Sequence, residues 1–222
     1  MRELSVFDII GPSMIGPSSS HTAGALRIAR MARTMIHGRL LRARFTLYGS
    51  FARTVYGHGT DRALAAGILG YRSDDPRIRY SLEQADEAGI ALDFILDPDT
   101  PVQHPNTVDI RLEEEEGRVI TVRGESIGGG TAAICQLNGV DVDFTGEYCT
   151  VVIEHRDERG VLAYITGVLS DCGINIARAK LFRQSKGELA YTIIEADEII
   201  SETVVAQIRK PHNIYDATLI AF

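Results

Sequence analysis

A short segment near the start of the chain carries three serines, a histidine and a threonine between Gly-Pro and Ala-Gly. These residues are Ser18, Ser19, Ser20, His21 and Thr22, and an apolar-periodic helix follows them. Hydroxyls and free backbone N–H groups at a helix start bind small anions, and a histidine there titrates near neutral pH. The segment predicts a site for a small carboxylate or phosphate with a proton-transfer residue. A serine that caps the helix is also expected, but capping alone does not explain three serines followed by a histidine.

Three further segments of the first half are polar and rich in glycine or proline, which packing alone does not explain. Binding residues concentrate on such loops, where glycine lets backbone approach a ligand. The candidates are His58, Thr60 and Asp61 in residues 57–61, His104 and Asn106 in residues 104–107, and Gly128 and Gly129 in residues 126–131. Each segment alone is a weak signal, but three histidines beside Gly, Pro or hydroxyl residues favour a binding role.

Two other chemistries fit these residues less well. A serine hydrolase is disfavoured because the chain lacks GxSxG and because adjacent residues rarely align as nucleophile and base. Zinc binding by His21, His58 and His104 uses the right residue type, but no i, i+4 pair of ligands supports it. We therefore expect no metal ligands in this chain.

The composition is that of an ordinary globular protein with an acidic balance. The chain has 222 residues, of which 45% are hydrophobic and 24% charged, and its formal net charge is −7. Broad nucleic-acid binding needs a basic face and is not expected, and the acidic run at residues 113–116 predicts a solvated turn. No apolar run reaches membrane-spanning length and the N-terminus lacks a secretion signal, so we expect a cytoplasmic location without membrane contact.

Cysteine usage bears on the compartment and on any cofactor. The three cysteines, Cys135, Cys149 and Cys172, are scattered without a CxxC pair. An odd, scattered set argues against a disulfide framework and against a complete iron–sulfur site within this chain, because such clusters usually take several thiolates. We expect all three thiols to be buried, and His155 and His212 to lie on the surface.

The hydrophobic pattern predicts an α+β first domain, with helices packed on a largely antiparallel sheet. Helices are predicted at 21–37, 50–56 and 60–69, and strands at 42–48, 91–96, 107–112, 118–123, 132–137 and 140–144. Thr60 and Asp61 are expected to cap the third helix. The last two strands flank Asn138-Gly139, the strongest two-residue hairpin signal.

The pattern resets after residue 146. Strands are predicted at 149–154, 174–182, 189–196 and 214–221, and helices at 160–172 and 201–209. This β-α-β-β-α-β order is that of a ferredoxin-like unit. The fold class is therefore α+β, with a mixed α/β-sheet domain at 1–146 and a ferredoxin-like domain at 147–222.

Four motifs, taken in order, resemble the beta chain of iron–sulfur-dependent L-serine dehydratase. They are GPSSSHTAGA at 16–25, YGSFARTVYGHGTDRAL at 48–64, HPNT at 104–107 and SIGGGT at 126–131. The likeness covers essentially the whole chain, because residues 148–222 resemble an ACT domain, the small-molecule-sensing version of the ferredoxin-like unit. Ala25 stands where the family usually has proline. This difference leaves intact the residues that we call the hydroxyl cradle, namely Ser18, Ser19, Ser20 and Thr22.

The resemblance implies an enzyme that deaminates L-serine to pyruvate and ammonia. In the family an oxygen-sensitive 4Fe–4S cluster acts as a Lewis acid on the substrate hydroxyl, and in two-chain members its cysteines lie on the alpha chain. This agrees with the cysteine argument and implies an active site formed between an alpha chain and this chain.

The resemblance also implies roles for the residues that match the motifs. Those that would hold the substrate carboxylate are Ser18, Ser19, Ser20 and Thr22. His21 would be the base or would orient it. Those that would complete the pocket wall or position the ammonium are His58, Thr60, Asp61, His104 and Asn106, with Gly128 and Gly129 allowing close backbone approach.

A non-catalytic regulatory subunit is the alternative from a different class. ACT domains commonly pair and bind amino acids at their interface, so the resemblance implies self-association of this domain. An effector would contact Arg156, Asp157 and Gly160 in its first turn, although a charged, solvated turn before a helix explains these residues equally well. Binding of L-serine to residues 148–222 alone would favour sensing, and binding only to a two-chain complex would favour catalysis.

Overall fold

The computed structural model describes residues 13–221 and divides into two compact units after Gly139. The fold is α+β, with a six-stranded sheet and a four-stranded sheet, which confirms the predicted fold class. Among these residues, none of the helices combines the length and the apolar character needed to cross a bilayer.

The six-stranded sheet has the order β2-β1-β3-β4-β5-β6. Its strands are β1 (Leu40–Tyr48), β2 (Ala91–Asp97), β3 (Thr107–Glu114), β4 (Val119–Gly128), β5 (Thr131–Leu137) and β6 (Val140–Phe144). β1 pairs with β2 in parallel, whereas the β1–β3, β3–β4 and β4–β5 pairs are antiparallel. The predicted largely antiparallel sheet is therefore present.

The place of the domain boundary depends on the criterion used. β6 belongs to the six-stranded sheet by hydrogen bonding, but compactness assigns Val140 and the residues after it to the second unit. The boundary predicted between residues 146 and 147 follows the sheet and stays a prediction.

The helices of the first unit include two elements that the sequence did not predict. The helices are α1 (Ala25–Thr34), α2 (Gly49–His58), α3 (Thr60–Ile68) and α4 (Ser81–Glu87), with a 3₁₀ turn at Pro76–Tyr80 and a π-helical segment at Ser19–Gly24. The 3₁₀ turn and α4 carry mostly charged and polar residues, so they lack a clear apolar period. A local signal was present, since Asp75 caps the turn at the Arg77 N–H and Pro76 is its first residue.

Helix α1 packs closely against α3 and fixes the segment that precedes it. Its apolar face is buried, including Leu26 and Ala29. A Cβ at Gly67 of α3 would lie closer than 3.0 Å to the Leu26 carbonyl oxygen and to the Ala29 side chain. Only glycine permits this approach, and the contact holds the π-helical segment in place relative to α3.

Gly59 forms the junction between α2 and α3. α2 continues through His58, and Gly59 adopts φ 66°, the left-handed conformation that glycine accepts at little cost. Gly59 is the N-terminal cap of α3, and no side chain caps that helix. The prediction that Thr60 and Asp61 cap it is therefore wrong.

The second unit has the predicted ferredoxin-like order. Its elements are β7 (Cys149–Arg156), α5 (Val161–Asp171), β8 (Ile176–Arg183), β9 (Leu189–Ala196), α6 (Glu202–Ile208) and β10 (Ile214–Ile220). The sheet order is β10-β7-β9-β8, and all three pairs are antiparallel. Its core joins Ile153, Ile165, Ile194 and Val205 from strands and helices.

The acidic run at residues 113–116 is not wholly a solvated turn. Glu114 is only 7% exposed. Its carboxylate accepts backbone N–H bonds from His37 at 2.8 Å and from Gly38 at 3.2 Å, just beyond α1. Glu114 therefore joins the end of β3 to the end of α1, and the surface prediction is wrong for this residue.

Two further exposure predictions are also wrong. His155 was expected on the surface and is 1% exposed. Cys172 was expected to be buried and is exposed, whereas Cys135 and Cys149 are half-buried. His212 is exposed, as predicted.

Candidate functional site

His21 lies in the π-helical segment and is held by serines from two elements. Ser18 caps the segment, because its Oγ accepts the His21 backbone N–H at 3.2 Å, and it lies 3.3 Å from Nδ1 of the ring. Nε2 lies 3.0 Å from Ser50 Oγ in the first turn of α2. Both ring nitrogens are thus fixed, and the residue is 9% exposed.

The surroundings of His21 favour its neutral form. Burial lowers its pKa from the usual 6.5, and the charge on His58 lowers the pKa further, whereas hydrogen bonding with Ser50 raises it. The two imidazole rings meet edge-on with centroids 4.6 Å apart, so their positive charges repel. A histidine that is neutral near pH 7 can accept a proton.

His58 presents a ring nitrogen with no partner. The Thr54 hydroxyl donates to the Ser50 carbonyl oxygen at 2.8 Å, so at 3.2 Å it accepts from Nδ1 of His58. Neutral His58 therefore carries its proton on Nδ1 and has a free lone pair on Nε2. No group within residues 13–221 hydrogen-bonds this nitrogen.

His58 lines a cleft with a volume of about 230 Å³. We call it the α2–α3 cleft, because the end of α2, the start of α3, the 3₁₀ turn and residues 15–17 form its walls. Thr22 shares the wall with His58 and donates its hydroxyl to the His58 carbonyl oxygen at 3.3 Å. The histidine pair therefore reaches the cleft through His58.

Two hydroxyls of the predicted cradle form hydrogen bonds within the protein, and two do not. Ser18 and Thr22 are used in bonds to His21 and to the His58 carbonyl. The hydroxyls of Ser19 and Ser20 are half-buried and have no hydrogen-bond partner in the part of the chain that the structure describes. These two hydroxyls are the members of the cradle that could bind an anion.

Ser126, on β4, holds the cradle against the sheet. Its hydroxyl donates to the Ser20 carbonyl oxygen at 2.9 Å, and its own backbone N–H donates to the Asn106 carbonyl oxygen at 3.0 Å. A Cβ at Gly24 would lie closer than 3.0 Å to the Ser126 side chain. Ser126 thus connects the first, third and fourth motifs.

The loop of His104 and Asn106 is tied to the start of α2. Nδ1 of His104 accepts the Asn106 backbone N–H at 3.2 Å, so neutral His104 carries its proton on Nε2. The Pro105 carbonyl oxygen accepts the Ser50 N–H at 2.7 Å. Asn106 donates its side-chain amide to the Ser126 carbonyl oxygen at 3.5 Å, but its buried Oδ1 has no partner within the described residues.

Two buried polar side chains stand in the first turn of α3. Thr60 is 0% exposed, and its hydroxyl oxygen has no hydrogen-bond partner within residues 13–221. Asp61 is 8% exposed, and no cation or donor pairs with its carboxylate in the same part of the chain. A buried polar group without a partner is costly, so both are suited to a ligand.

Gly128 and Gly129 lie where β4 turns into β5. Their φ angles are 111° and 60°, values that L side chains rarely adopt. This turn geometry accounts for glycine at both positions, so their role in binding stays a prediction.

Three hydroxyl residues of this site were not predicted from the sequence, namely Ser50, Thr54 and Ser126. Ser50 and Thr54 precede His58 at i, i+4 spacing on α2, which places all three on one helix face. That spacing was a usable signal. Ser126 had no such signal, because its contact with Ser20 joins residues 106 positions apart.

The cysteines of this chain do not fit a 4Fe–4S cluster. Burial, together with the Glu125 carboxylate, raises the pKa of the Cys135 thiol to about 12, so it stays protonated. Cys149 Sγ accepts the Ile200 backbone N–H at 3.2 Å, and Cys172 is exposed. Within residues 13–221, no three His, Cys, Asp or Glu side chains are grouped so that they could hold a metal ion.

The predicted effector turn of the second unit is organised by its own contacts. The Asp157 carboxylate accepts hydrogen bonds from the Gly187 N–H at 3.0 Å and from the Arg183 guanidinium at 3.4 Å. The bond from Gly187 is the main reason that the pKa of Asp157 is lowered. Arg156 pairs with Glu158 at 3.2 Å. Gly160 has φ 89° and is the N-terminal cap of α5, and effector binding at this turn stays a prediction.

The fold and these sites define a two-part α+β protein that ends in an ACT domain. A family model described as "Serine dehydratase beta chain" matches residues 5–91, and one described as "AHAS small subunit-like ACT domain" matches residues 152–216. The resemblance in the motifs is thus confirmed in both parts of the chain.

Similar proteins agree with the family models. The chain is 41% identical over 221 residues to "Probable L-serine dehydratase, beta chain" of Bacillus subtilis, with 100% of both chains covered. It is 39% identical over 208 residues to "L-serine dehydratase, beta chain" of Peptoniphilus asaccharolyticus, with 94% of each covered. D-3-phosphoglycerate dehydrogenase of Methanocaldococcus jannaschii is 28% identical over 118 residues, which cover 49% of this chain and 22% of that protein. The chain belongs to the L-serine dehydratase beta-chain family.

Proposed function

We propose that this chain is the beta subunit of a cytoplasmic enzyme that deaminates L-serine to pyruvate and ammonia. The observation that carries the proposal is the His21–His58 pair, held between serine and threonine hydroxyls and reaching a cleft. The names of the two similar beta chains support the substrate and the presence of an alpha-chain partner.

The histidine pair would take the Cα proton of serine. Nε2 of His58 has a free lone pair, and His21 contacts His58 through its ring. His21 is either the proton acceptor itself or the group that orients His58, and its lowered pKa keeps it neutral in both roles. General base catalysis needs such a neutral group near the operating pH.

The remaining groups of the site would bind the two charged ends of serine. The free hydroxyls of Ser19 and Ser20 would hold the carboxylate, and the Asp61 carboxylate would hold the ammonium. Thr60 and Asn106 offer buried oxygens without partners to the same ligand. Each of these groups is buried or half-buried, which strengthens its interaction with an ion.

Loss of the substrate hydroxyl calls for a Lewis acid, and we assign it to a 4Fe–4S cluster on the alpha chain. The cysteines of this chain do not fit a cluster, because they lie on separate elements and Cys135 stays protonated. This poor fit supports placing the cluster ligands on the partner.

The first experiment measures pyruvate formation from L-serine by the chain purified together with its alpha chain without oxygen. His21→Ala and His58→Ala should each lower kcat at least about 100-fold, the scale of lost acid–base catalysis. His212→Ala, an exposed histidine of the second unit, is the matched control and should keep full activity. Pyruvate formation at the normal rate by both site variants would remove the pair from the mechanism. No pyruvate from the unaltered complex would contradict the proposed activity itself.

The alternative, a regulatory subunit, has its support in the second unit. α5 presents Leu162, Ala163 and Gly167 to solvent, and the edge strand β8 presents Leu181. Such an uncharged face, and a strand edge that pairs with no other strand within residues 13–221, are suited to self-association. Calorimetry of L-serine with the full chain alone tests this candidate, because saturable binding that Asp157→Asn abolishes would favour sensing over catalysis.

A further inference from the structure

Two arginines of the α2–α3 cleft have no acidic partner. Arg62 from α3 and Arg79 from the 3₁₀ turn line the cleft, none of the residues that line it is acidic, and neither arginine forms an ion pair within residues 13–221. Arg77, two residues before Arg79, instead pairs with Asp75 at 2.6 Å. Nε of Arg79 donates to the Pro76 carbonyl oxygen at 3.2 Å. The two terminal nitrogens of its guanidinium are therefore available to bind an anion.

Gly57 keeps the cleft open at a cost to the helix. It lies within α2, its φ is not positive, and a Cβ built on it would meet no atom within 4 Å. Neither backbone conformation nor close packing therefore requires glycine here, and glycine destabilises a helix relative to alanine. Because Gly57 lines the cleft, its missing side chain leaves room for a ligand.

The rest of the wall fixes the kind of ligand. Part of the cleft wall is apolar, in contrast to the two arginines. It is formed by Ile15, Pro17, Tyr56 and Ile78. A volume of about 230 Å³ equals about eight water molecules at ~30 Å³ each. A guanidinium binds carboxylate or phosphate, but the apolar wall and this volume fit an anion with a short carbon chain.

We propose that the α2–α3 cleft binds a small organic carboxylate of three or four carbons. Arg62 and Arg79 hold the carboxylate, and the carbon chain lies on the apolar wall. The site is distinct from the two unbonded hydroxyls of the cradle, because Thr22 lines the cleft but Ser19 and Ser20 do not. It adjoins the proposed catalytic residues, because His58 also lines the cleft. This binding needs only the present chain and does not depend on the proposed reaction.

Calorimetry or ligand-observed NMR of the full chain with pyruvate tests the proposal. Saturable binding is expected, and Arg62→Gln/Arg79→Gln should weaken it at least about tenfold, since each lost bond is charge-assisted. Arg77→Gln is the matched control on the same 3₁₀ turn and should leave the affinity unchanged. Inorganic phosphate should compete weakly, and binding of phosphate without binding of pyruvate would overturn the carboxylate assignment.

A second variant tests the cleft without removing charge. Gly57→Leu places a side chain into the open space and should abolish pyruvate binding while the thermal midpoint stays equal or rises. Gly167→Leu is its control, because Gly167 is also helical with no atom within 4 Å of its Cβ position and lies in the second unit. Its pyruvate affinity should be unchanged.

Two results would overturn the site. One is equal pyruvate affinity in the unaltered chain, in Arg62→Gln/Arg79→Gln and in Gly57→Leu. The other is loss of pyruvate binding in Ser19→Ala/Ser20→Ala with retention in the arginine variant, which would place the anion in the cradle. Both results concern binding to this chain alone, so they are distinguishable from a failure of the deamination proposal.

Discussion

Each unit contains a histidine that the fold holds by a hydrogen bond, buried His155 in the second and half-buried His58 in the first, and the two differ in what their ring nitrogens contact. In the second unit, Nδ1 of His155 donates to the Arg156 carbonyl oxygen and Nε2 accepts from Thr192, both at 2.8 Å. In the first unit, His58 has one bonded nitrogen and one facing no protein group within the described residues. His155 is satisfied by the fold, whereas His58 is left ready for a ligand.

Buried oxygens show the same difference. Thr60 and Asn106 of the first unit have side-chain oxygens without partners, whereas no buried side-chain nitrogen or oxygen of the second unit lacks one among residues 140–221. An unsatisfied buried polar group costs about 1–3 kcal/mol. The comparison indicates that the first unit gives up stability at the site through these two oxygens.

The largest effect is expected where the cradle meets the sheet. Gly24→Ala would drive a methyl group into Ser126, which should cost about 1–3 kcal/mol of stability and, by moving the cradle, about 100-fold in kcat/KM. Urea unfolding and pyruvate formation by the two-chain complex measure both.

Two companion variants sharpen this result. Adding Ser126→Gly to Gly24→Ala should recover stability, since the nearest remaining atom would then be the Cα of residue 126 at 3.7 Å, an ordinary contact. It should not restore full activity, since the bond to Ser20 is lost. Gly167→Ala in the second unit should leave activity unchanged and raise stability slightly. Full activity of Gly24→Ala would show that the cradle position does not matter for turnover.

A matched threonine pair should separate binding from folding. Thr60→Val removes a hydroxyl that bonds nothing among the described residues, so the free energy of unfolding should hold or rise while kcat/KM falls about tenfold, the scale of one lost ligand hydrogen bond. Thr192→Val leaves buried His155 without its Nε2 partner, so stability should fall by about 1–3 kcal/mol with kcat/KM retained. The reverse pattern would contradict the comparison between the two units.

The smallest expected effect is a pH shift. Because folding lowers the pKa of His21, its contribution to stability is complete above about pH 6.5 and is lost as the pH falls below 6.5 toward the folded pKa. His58→Gln removes the charge that is the second cause of lowering, so the His21 pKa should rise toward 6.5. NMR titration of the His21 ring measures it, and a pKa that falls or stays the same would argue against coupling of the two rings.

Local patterns in the sequence predicted most of the elements. Asn138-Gly139 marked its hairpin, and the structure gives φ 47° and 82° there, as a type I′ turn requires. Gly173 marked the end of α5 for a similar local reason, since it follows the cap residue Cys172 with φ 72°. Gly38 did not mark the end of α1, because that helix ends at Thr34. Neighbouring residues determine these features, so a single sequence contains the necessary information.

Contacts between distant residues were the ones that sequence could not predict. Glu114 looked like part of a solvated run but accepts bonds from residues 77 and 76 positions away. His155 looked polar and exposed, but Thr192, 37 positions along the chain, completes its bonding. The clustering of His21 with His58 was expected only from the shared character of the motifs, and its geometry required the fold.

The close fit of α1 has a consequence for efforts to evolve a new substrate preference. Three glycines permit the close contacts of α1 and of the π-helical segment before it. Gly24 of that segment lies against Ser126 of β4, Gly67 of α3 lies against the Leu26 carbonyl oxygen, and Gly124 of β4 lies against Ile28. Mutant libraries that vary these contacts would yield mostly misfolded chains. Diversity is better placed at Tyr56 and Gly57, which line the cleft with solvent on one side.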